Sequence, residues 1–227
     1  MPRKSLANFR PKADPPLAEP KRILMFQKPI TKFTSKSGKE VEIIEPSIER
    51  LPQLLEFVNR LVAEDTFLSL TGNPKTLEEE RLWLKSCIED MKTKKLHLVF
   101  AVHNGKIIGQ CDIRRGGTRD FHVGTIGLMI DQDFRGEGIG KFLIEYILEQ
   151  AKKMEGLKIV KLFIFDDNEI AKSLYTKLGF KEFARLPKGF YRKGKFSDAL
   201  QMYKEISSSF ASSDAKAMED KKATEDK

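Results

Sequence analysis

The chain contains little that could hold a metal ion or a disulfide framework. Among its 227 residues there are two cysteines, Cys87 and Cys111, and three histidines, at positions 97, 103 and 122. Two cysteines are too few for a disulfide scaffold, and the scattered cysteines and histidines lack the spacing of a zinc site. The sequence therefore predicts neither a metal site nor structural disulfides.

Long apolar runs are also missing. No run approaches the roughly 20 residues that cross a bilayer, and residues 1–20 lack the apolar segment of a secretory signal. Hydrophobic residues make up 40% and charged residues 33% of the chain, a balance that is typical of globular proteins. We therefore expect no membrane span and a cytoplasmic location.

The positive charge is concentrated at one end of the chain. Of a net charge of +8, residues 1–39 supply nearly all, with ten Lys or Arg against two acidic residues. A basic tail of this kind can bind nucleic acid or another acidic surface. It is also typical of a solvated extension, because five of the ten prolines fall within the first twenty residues and few aromatic residues are interleaved. Both interpretations stay open.

Composition divides the chain into three segments. Residues 1–38 are predicted to be a basic, proline-containing, disordered tail, and residues 207–227 a low-complexity tail. Residues 39–206 have the alternating apolar and turn-rich stretches of one folded domain. The expected organisation is one domain between two tails.

The hydrophobic periodicity of the domain predicts strands and helices in the order β-α-α-β-β-β-α-β-α-β-β. Ser47 and Thr76 are placed as helix caps, and Asn104-Gly105 is typical of a hairpin turn. The fold class expected is a mixed α/β sheet with helices on its faces. The strands are predicted at 41–44, 96–103, 106–114, 122–130, 158–165, 181–192 and 196–204, and the helices at 48–62, 76–91, 139–153 and 168–178.

A glycine-rich segment, Arg135 to Gly140, separates an apolar strand from an amphipathic helix. Glycine lets the backbone approach a bulky anion, and the first N–H groups of a helix point outward at the positive end of its dipole. The spacing is neither G-x-G-x-x-G nor G-x-x-x-x-G-K-[ST], the two common nucleotide-binding loops. The segment indicates a phosphate site, with a glycine turn that binds nothing as the alternative.

Two motifs together resemble the GNAT superfamily of N-acetyltransferases over residues 41 to about 205. The first is R-x-x-G-x-G at 135–140. The second is Asn168-x-x-Ala171-x-x-x-Tyr175, followed by Gly179-Phe180. The resemblance, which is to prokaryotic members that acetylate protein lysines or small amines, implies a mostly antiparallel sheet with one splayed strand pair. It also implies acetyl-CoA as the donor and an amine as the acceptor.

The resemblance further implies which residues hold acetyl-CoA. The loop amides would bind its pyrophosphate, with the Arg135 side chain adding charge. A free N–H of Met129 or Ile130 would hydrogen-bond the thioester oxygen as negative charge builds on it. Asn168 would face the pantetheine arm, and a helix N-cap is its alternative role. The implied coenzyme site is Leu128, Met129, Ile130, Arg135, Gly136, Glu137, Gly138, Ile139, Gly140, Lys141, Asn168 and Ala171.

Tyr175 matches the general acid of the family, because a phenol of pKa ~10 can give a proton to a departing thiolate of pKa ~8.5. A buried aromatic residue on an apolar helix face is the alternative. Relatives place a glutamate base on the strand before the loop, but Thr125 stands there in this chain, and threonine cannot serve at neutral pH. Glu64 is the leading candidate for the base, and Asp65, His122 and a relayed water are the others.

The acceptor site is expected between the loop after the first helix, residues 65–73, and the last hairpin, residues 187–198. Both segments carry aromatic residues, and an acidic side chain there could attract an ammonium group. The candidate acceptor-binding residues are Asp65, Phe67, Tyr191 and Asp198.

Three functions compete on this basis. The first is an N-acetyltransferase in which the amine of a protein lysine, an N-terminus or a small molecule attacks directly in a ternary complex, since no cysteine is placed to form an acyl-enzyme. The second is a non-catalytic acyl-CoA sensor, which the missing strand glutamate permits. The third is a nucleic-acid-associated factor anchored by the basic tail. A monomer or homodimer without membrane contact is expected.

Overall fold

The computed structural model describes residues 28–68 and 72–207, and within them the chain forms eight strands and four α-helices. The strands are β1 (Thr31–Thr34), β2 (Glu40–Ile44), β3 (Leu96–His103), β4 (Lys106–Arg115), β5 (Val123–Ile130), β6 (Ile159–Phe165), β7 (Lys181–Arg192) and β8 (Lys195–Glu205). The helices are α1 (Leu51–Glu64), α2 (Leu77–Lys92), α3 (Ile139–Lys152) and α4 (Glu169–Lys177). Short 3-10 turns at Ile48–Arg50 and Gln132–Phe134 precede α1 and α3.

All eight strands belong to one sheet in the order β1-β2-β3-β4-β5-β6-β8-β7. Neighbouring strands are antiparallel except β5 and β6, which run parallel. That parallel pair is joined only along Val123–Thr125 and Ile159–Lys161, and beyond Thr125 the two strands are no longer paired. The expected mostly antiparallel sheet with a splayed pair is therefore confirmed. The gap between β5 and β6 opens toward the glycine loop.

Helices cover both faces of the sheet and divide the core in two. α1 and α2 pack on one face, where Phe57 and Leu98 are fully buried. α3 and α4 pack on the other face, around Leu143 and Val160. Burying a side chain of this size contributes about 1.5–3 kcal/mol, so each helix is fixed by the apolar stripe of its own sequence.

The folded region begins earlier than the sequence indicates. The prediction of a disordered tail through residue 38 is wrong for its last part, because Thr31–Thr34 form β1 and pair with β2. Phe33 stacks on Phe142 of α3, with the ring centroids 4.7 Å apart. A four-residue strand with one large apolar side chain gives little periodic signal, and the surrounding lysines and prolines favour disorder by composition. Residues 1–27 and 208–227, which carry most of both predicted tails, lie outside the described residues.

Of the two predicted helix caps and the predicted hairpin turn, one cap and the turn form as expected. Thr76 caps α2 in a reciprocal capping box, and the β3–β4 hairpin turns at Asn104-Gly105 with positive φ at both residues. Ser47, by contrast, precedes a 3-10 turn and accepts no capping hydrogen bond. α1 begins after that turn, because Pro52 has no N–H to satisfy and suits the first helical turn.

Candidate functional site

The glycine loop presents a row of unpaired peptide N–H groups at the start of α3. Gly136 and Gly138 have φ values of +76° and +86°, a left-handed backbone that favours glycine. Gly138 is the N-cap of α3. Among the described residues, no acceptor meets the N–H groups of Gly136 through Lys141. These amides and the positive end of the helix dipole form a cradle for an anion.

The side chain of Arg135 turns away from this cradle. Its guanidinium donates to both carboxylate oxygens of Glu64 at the end of α1, with Nη2 2.7 Å from Oε2. Nε and Nη2 also donate to the Ile130 carbonyl oxygen at 3.1 and 3.0 Å. The Arg135 N–H donates to the Gln132 carbonyl oxygen. The expected contribution of Arg135 to a phosphate site is therefore not met, because its planar guanidinium instead ties the end of β5 to a carboxylate of α1.

The direction of each peptide group along β5 decides which N–H groups face the gap. The Asp131 N–H donates to the Ile108 carbonyl oxygen of β4 at 2.8 Å, and successive peptide groups of a strand point to alternate sides. The N–H of Met129 therefore points to β4, whereas those of Leu128 and Ile130 point into the gap. The prediction that the Met129 N–H donates to the thioester oxygen is therefore wrong. The N–H groups that face the gap are those of Leu128 and Ile130.

Helix α4 carries two of the predicted residues on the α3 side of the sheet. Asn168 is its N-cap, and Oδ1 accepts a hydrogen bond from the Ala171 N–H at 3.2 Å. Tyr175 is only 5% exposed, with its ring edge-on to Phe180 at 5.5 Å. Burial raises the pKa of Tyr175, and the nearby Cys111 of β4 adds to the increase. The phenol therefore keeps its proton at neutral pH.

The predicted bases have different surroundings. Glu64 lies beside the end of β5, but both of its carboxylate oxygens accept hydrogen bonds from Arg135. Asp65 is the C-cap of α1, with a left-handed φ of +47°. His122 precedes β5 at the end remote from the glycine loop, and eight strand residues span roughly 25 Å. Glu64 is thus an ion-pair partner in this structure, and His122 lies far from the gap.

The last hairpin reaches the end of α1, as expected for one shared site. Lys193 Nζ lies 3.4 Å from the Glu64 carbonyl oxygen. The guanidinium of Arg192 lies 4.0 Å from the centre of the Phe67 ring, and that ring meets Phe165 of β6 edge-on at 5.6 Å. The structure therefore brings Phe67 together with the hairpin and with the end of β6.

Tyr191 and Asp198 have other surroundings. Tyr191 is 65% exposed, and its ring meets Phe196 within the hairpin. Asp198 accepts from the Lys188 N–H at 2.9 Å, and Arg185 Nη1 lies 3.4 Å from its other oxygen. These contacts stabilise the irregular part of the β7–β8 pairing. The Asp198 carboxylate is therefore already engaged, contrary to the expectation that it receives an ammonium group.

Sequence reasoning missed part of the aromatic surface beside the hairpin. Phe165 stacks on Phe190 of β7, with centroids 4.0 Å apart, and Phe163 lies 6.4 Å from the same ring. Phe163 and Phe165 occupy alternate positions to the core residues Leu162 and Ile164. The alternation was present in the sequence, but a continuously apolar strand conceals which of its residues face the core.

A cavity of about 460 Å³ also escaped the sequence analysis. It lies between α2 and the sheet, on the face that α1 and α2 cover. Apolar side chains of both helices and of β3 and β5 form much of its wall. These are Val58, Trp83, Leu96, Leu98 and Met129.

The polar side of this cavity is formed chiefly by β4. Asp112 lies opposite Gly127 of β5, and its Oδ1 is 2.8 Å from the point where a Cβ on Gly127 would stand. The carboxylate therefore overlies β5 itself. Burial raises the pKa of Asp112 to about 6, while Gln110 and Arg114 oppose the increase. A polar residue at every second strand position is ordinary, so no sequence signal distinguishes Asp112.

Two absences hold for residues 28–68 and 72–207. No group of three or more His, Cys, Asp or Glu side chains is arranged to hold a metal ion. No helix there combines the length and apolar character needed to traverse a bilayer. The described residues bring together an anion cradle, a strand gap with inward N–H groups, and a protonated phenol.

The model of the "Acetyltransferase (GNAT) family" matches residues 58–180 of the chain. The matched stretch includes the glycine loop, the splayed strands and α4. The likeness thus covers all parts of the coenzyme cradle described above.

Individual relatives match over shorter stretches. The chain is 37% identical over 100 residues to an uncharacterized N-acetyltransferase of Methanocaldococcus jannaschii, which covers 40% of this chain and 42% of that protein. It is 32% identical over 99 residues to the N-alpha-acetyltransferase RimI of Mycobacterium tuberculosis, a match that covers 42% of this chain and 58% of that protein. The chain therefore spans about half the length of these relatives. The crystal structure of a GNAT-family acetyltransferase from Streptococcus pneumoniae superposes with a TM-score of 0.66 at 29% identity, over 73% of this chain and 99% of that one.

Proposed function

We propose that this chain, which belongs to the acetyltransferase (GNAT) family, takes acetyl-CoA as its acyl donor and transfers the acetyl group to a primary amine by direct attack in a ternary complex. One observation carries this proposal. The unpaired N–H groups of residues 136–141 lie beyond the end of β5, where the gap between β5 and β6 opens. One molecule suits both features, since its pyrophosphate fits the cradle and its extended arm fits the gap.

The residues around the gap have complementary roles in this reaction. Bound acetyl-CoA supplies an activated thioester carbonyl. The N–H groups of Leu128 and Ile130 donate to its oxygen as negative charge builds there. The amine nitrogen bonds to the carbonyl carbon, and the carbon–sulfur bond breaks with its electron pair on sulfur. Tyr175, which is protonated at neutral pH, donates its hydroxyl proton to that sulfur.

A covalent acyl-enzyme has no support among the cysteines. Cys87 and Cys111 are both buried. Burial raises the pKa of Cys87 to about 11 and that of Cys111 well above its ordinary value. A buried thiol that stays protonated is a poor nucleophile. Direct attack by the amine therefore remains the simplest route.

The proposed acceptor is a primary amine. The name of the Mycobacterium relative describes transfer to an α-amine. The family match supports the donor half of the site, and the cavity under α2 is a place where an acceptor could bind.

Two measurements on the purified chain test this proposal. Calorimetry with acetyl-CoA measures binding, and release of the coenzyme thiol measures turnover with small amines, lysine peptides and peptides with a free N-terminus. We expect binding, and thiol release that depends on an amine. Binding with no release for any amine would indicate a non-catalytic acyl-CoA sensor, and no binding would remove the donor site altogether.

The nucleic-acid alternative depends on the basic tail. Half of its net charge lies in residues 1–27, outside the described residues, with six Lys or Arg against two acidic residues. Deleting these residues and measuring the salt dependence of DNA and RNA binding tests this alternative. Equal binding with and without the tail would exclude it.

A further inference from the structure

The cavity under α2 contains one buried hydrogen-bond acceptor without a partner among the described residues, beside acidic side chains. Gln110 is 4% exposed, and its Oε1 has no hydrogen-bond partner among the described residues. Glu80 of α2 is 7% exposed, and Asp112 lies on the same cavity wall. An unpaired buried acceptor costs about 1–3 kcal/mol. Water or the N–H of a ligand can satisfy such a group.

Two cations also lie at the cavity, and Lys75 lowers the pKa of Glu80 against the larger effect of burial. Arg114 donates to Asp90, and its Nη2 lies 3.9 Å from the Cys87 sulfur. Lys75 stands just before α2 and is half-buried, and its backbone N–H donates to Asn59 at 2.7 Å. The carboxylates of Glu80 and Asp112 and the unpaired amide oxygen of Gln110 therefore face the same cavity.

The cavity adjoins the strand that carries the oxyanion donors. Met129 lines the cavity and packs with the α1–α2 core. Its neighbours Leu128 and Ile130 pack against the α3–α4 core. The Asp112 carboxylate stands over Gly127, because glycine leaves the space that a side chain would fill. The carboxylate and the N–H groups of the gap thus lie on opposite sides of one strand.

We propose that this cavity is the acceptor site, that it takes a small primary amine with an apolar body, and that Asp112 accepts the proton of the ammonium group. The inference rests on the proposed acetyl transfer. A volume of about 460 Å³ is that of a small-molecule site. Trp83, Leu98 and Met129 suit an apolar body, and Gln110 and Asp112 suit an ammonium group.

Asp112 and Tyr175 each take part in one proton transfer to or from the reactants before they are restored. An alkylammonium of pKa ~10 must lose a proton before it attacks, and an Asp112 oxygen takes that proton. The freed lone pair forms the carbon–nitrogen bond, and the electron pair of the carbon–sulfur bond leaves with sulfur, which receives the Tyr175 proton. The nitrogen loses a second proton as the amide forms, and this proton restores the Tyr175 hydroxyl. Asp112 then returns its proton to water.

The surroundings of Asp112 agree with this role. With a pKa raised to about 6, the carboxylate is ionised at pH 7 and is a stronger base than an ordinary aspartate of pKa ~3.9. β3 contributes only apolar side chains to the wall, as does β5. The charged, titratable and polar groups that face the cavity from the other elements are Lys75, Glu79, Glu80, Cys87, Gln110 and Arg114.

Fluorescence can detect acceptor binding without turnover. Trp83 is the single tryptophan of the chain and lines the cavity. Titration with a series of primary alkyl and arylalkyl amines should give a saturable change in its emission. Asp112→Asn should weaken this binding by about tenfold, and Glu205→Gln, at the exposed end of β8, should not change it. No saturable change, an equal affinity in Asp112→Asn, or tighter binding of lysine peptides would overturn the proposal.

Turnover tests the proton transfer separately. Asp112→Asn should lower kcat about 10²- to 10⁴-fold at pH 7, with unchanged acetyl-CoA affinity in calorimetry. The loss should shrink as pH rises toward 10, because solution then supplies the free amine. Glu205→Gln should keep the wild-type rate and pH profile. An Asp112→Asn variant with the same rate and profile would show that Asp112 is not the base.

A second variant covers the case in which Asp112→Asn does not fold. Trp83→Ala removes a large part of the apolar wall of the cavity. It should raise KM for apolar amines about tenfold and leave KM for acetyl-CoA unchanged. Equal amine KM values in this variant and the wild type would contradict the acceptor site. If the wild type binds acetyl-CoA but acetylates no amine, the proposed function fails. The fluorescence titration then still decides whether the cavity binds amines.

Discussion

Burial makes the phenol of Tyr175 a weaker acid than an exposed one, and it extends the pH range over which the group is protonated. An exposed phenol and a buried one have the same proton to give, but the raised pKa of the buried one keeps it protonated to higher pH. Tyr175→Phe removes that proton while keeping the ring that packs on Phe180. We expect kcat to fall about 10²- to 10⁴-fold with little change in acetyl-CoA affinity.

The matched control for this variant is Tyr203→Phe. Tyr203 lies on β8 and its ring meets Phe183, away from the gap. Its substitution should leave kcat unchanged. Because the pKa of Tyr175 lies above the usual ~10, the wild-type rate should show no alkaline loss from this group below about pH 10. An unchanged rate in Tyr175→Phe would remove the phenol from the mechanism.

The Glu64–Arg135 pair leads to a different expectation. Both oxygens of Glu64 are engaged, so Glu64→Gln should lower kcat less than tenfold. The pair is partly exposed, and its loss should cost at most about 1 kcal/mol of stability in chemical denaturation. Arg135→Gln should have a similar effect, and the double variant should be no worse than either single one. A hundredfold loss confined to Glu64→Gln would instead identify Glu64 as the base.

The turn between β1 and β2 is tied to the glycine loop through Glu137. Glu137 Oε2 accepts from the Ser37 N–H at 2.9 Å, and its carbonyl oxygen accepts from the Lys36 N–H at 3.2 Å. Lys39 Nζ lies 3.5 Å from Oε1. The single acidic residue of the loop is thus paired with the turn, and its negative charge is offset beside the anion cradle.

This contact predicts that the carboxyl group of Glu137 titrates at an unusually low pH. The hydrogen bond from the Ser37 N–H, with lesser help from Lys39, lowers the pKa of Glu137 to about 2. The contact is therefore stabilising above the ordinary glutamate pKa of ~4.3 and is lost as pH falls through about 2. The Ser37 amide resonance in NMR should follow a midpoint near 2, and Glu137→Gln should abolish the shift. A midpoint near 4 would show that the turn is not bound to the loop in solution.

Elements with strong local signals were predictable from the sequence, and relations between elements were not. The bounds predicted for β3 at 96–103 are those of the structure, because the flanking turn chemistry is local. The glycine loop was found for the same reason. Gly127 and Asp112, in contrast, become neighbours only through the pairing of β4 with β5. The direction of the Met129 N–H depends on the same register, which no pattern within one strand encodes.

Binding of acetyl-CoA should stabilise the folded state of the whole domain. The donor cradle draws on β5, α3 and α4, and a ligand that binds only the folded state at 100 times its Kd adds about 2.7 kcal/mol of stability. For a domain of this size the melting temperature should rise by about 5–10 °C in differential scanning fluorimetry. Free cysteamine, which lacks the phosphates, should give no shift. Equal melting temperatures with and without acetyl-CoA would argue against a donor site.

The separation of β5 from β6 would let the two reactants approach the site from opposite faces of the sheet. Leu128, Ile130 and Tyr175 belong to one side of the sheet, and Met129 and Asp112 to the other. Donor and acceptor would then meet only through the slit, each arriving from its own side and departing the same way. Bound donor would then not block the acceptor, nor bound acceptor the donor, so either could bind first.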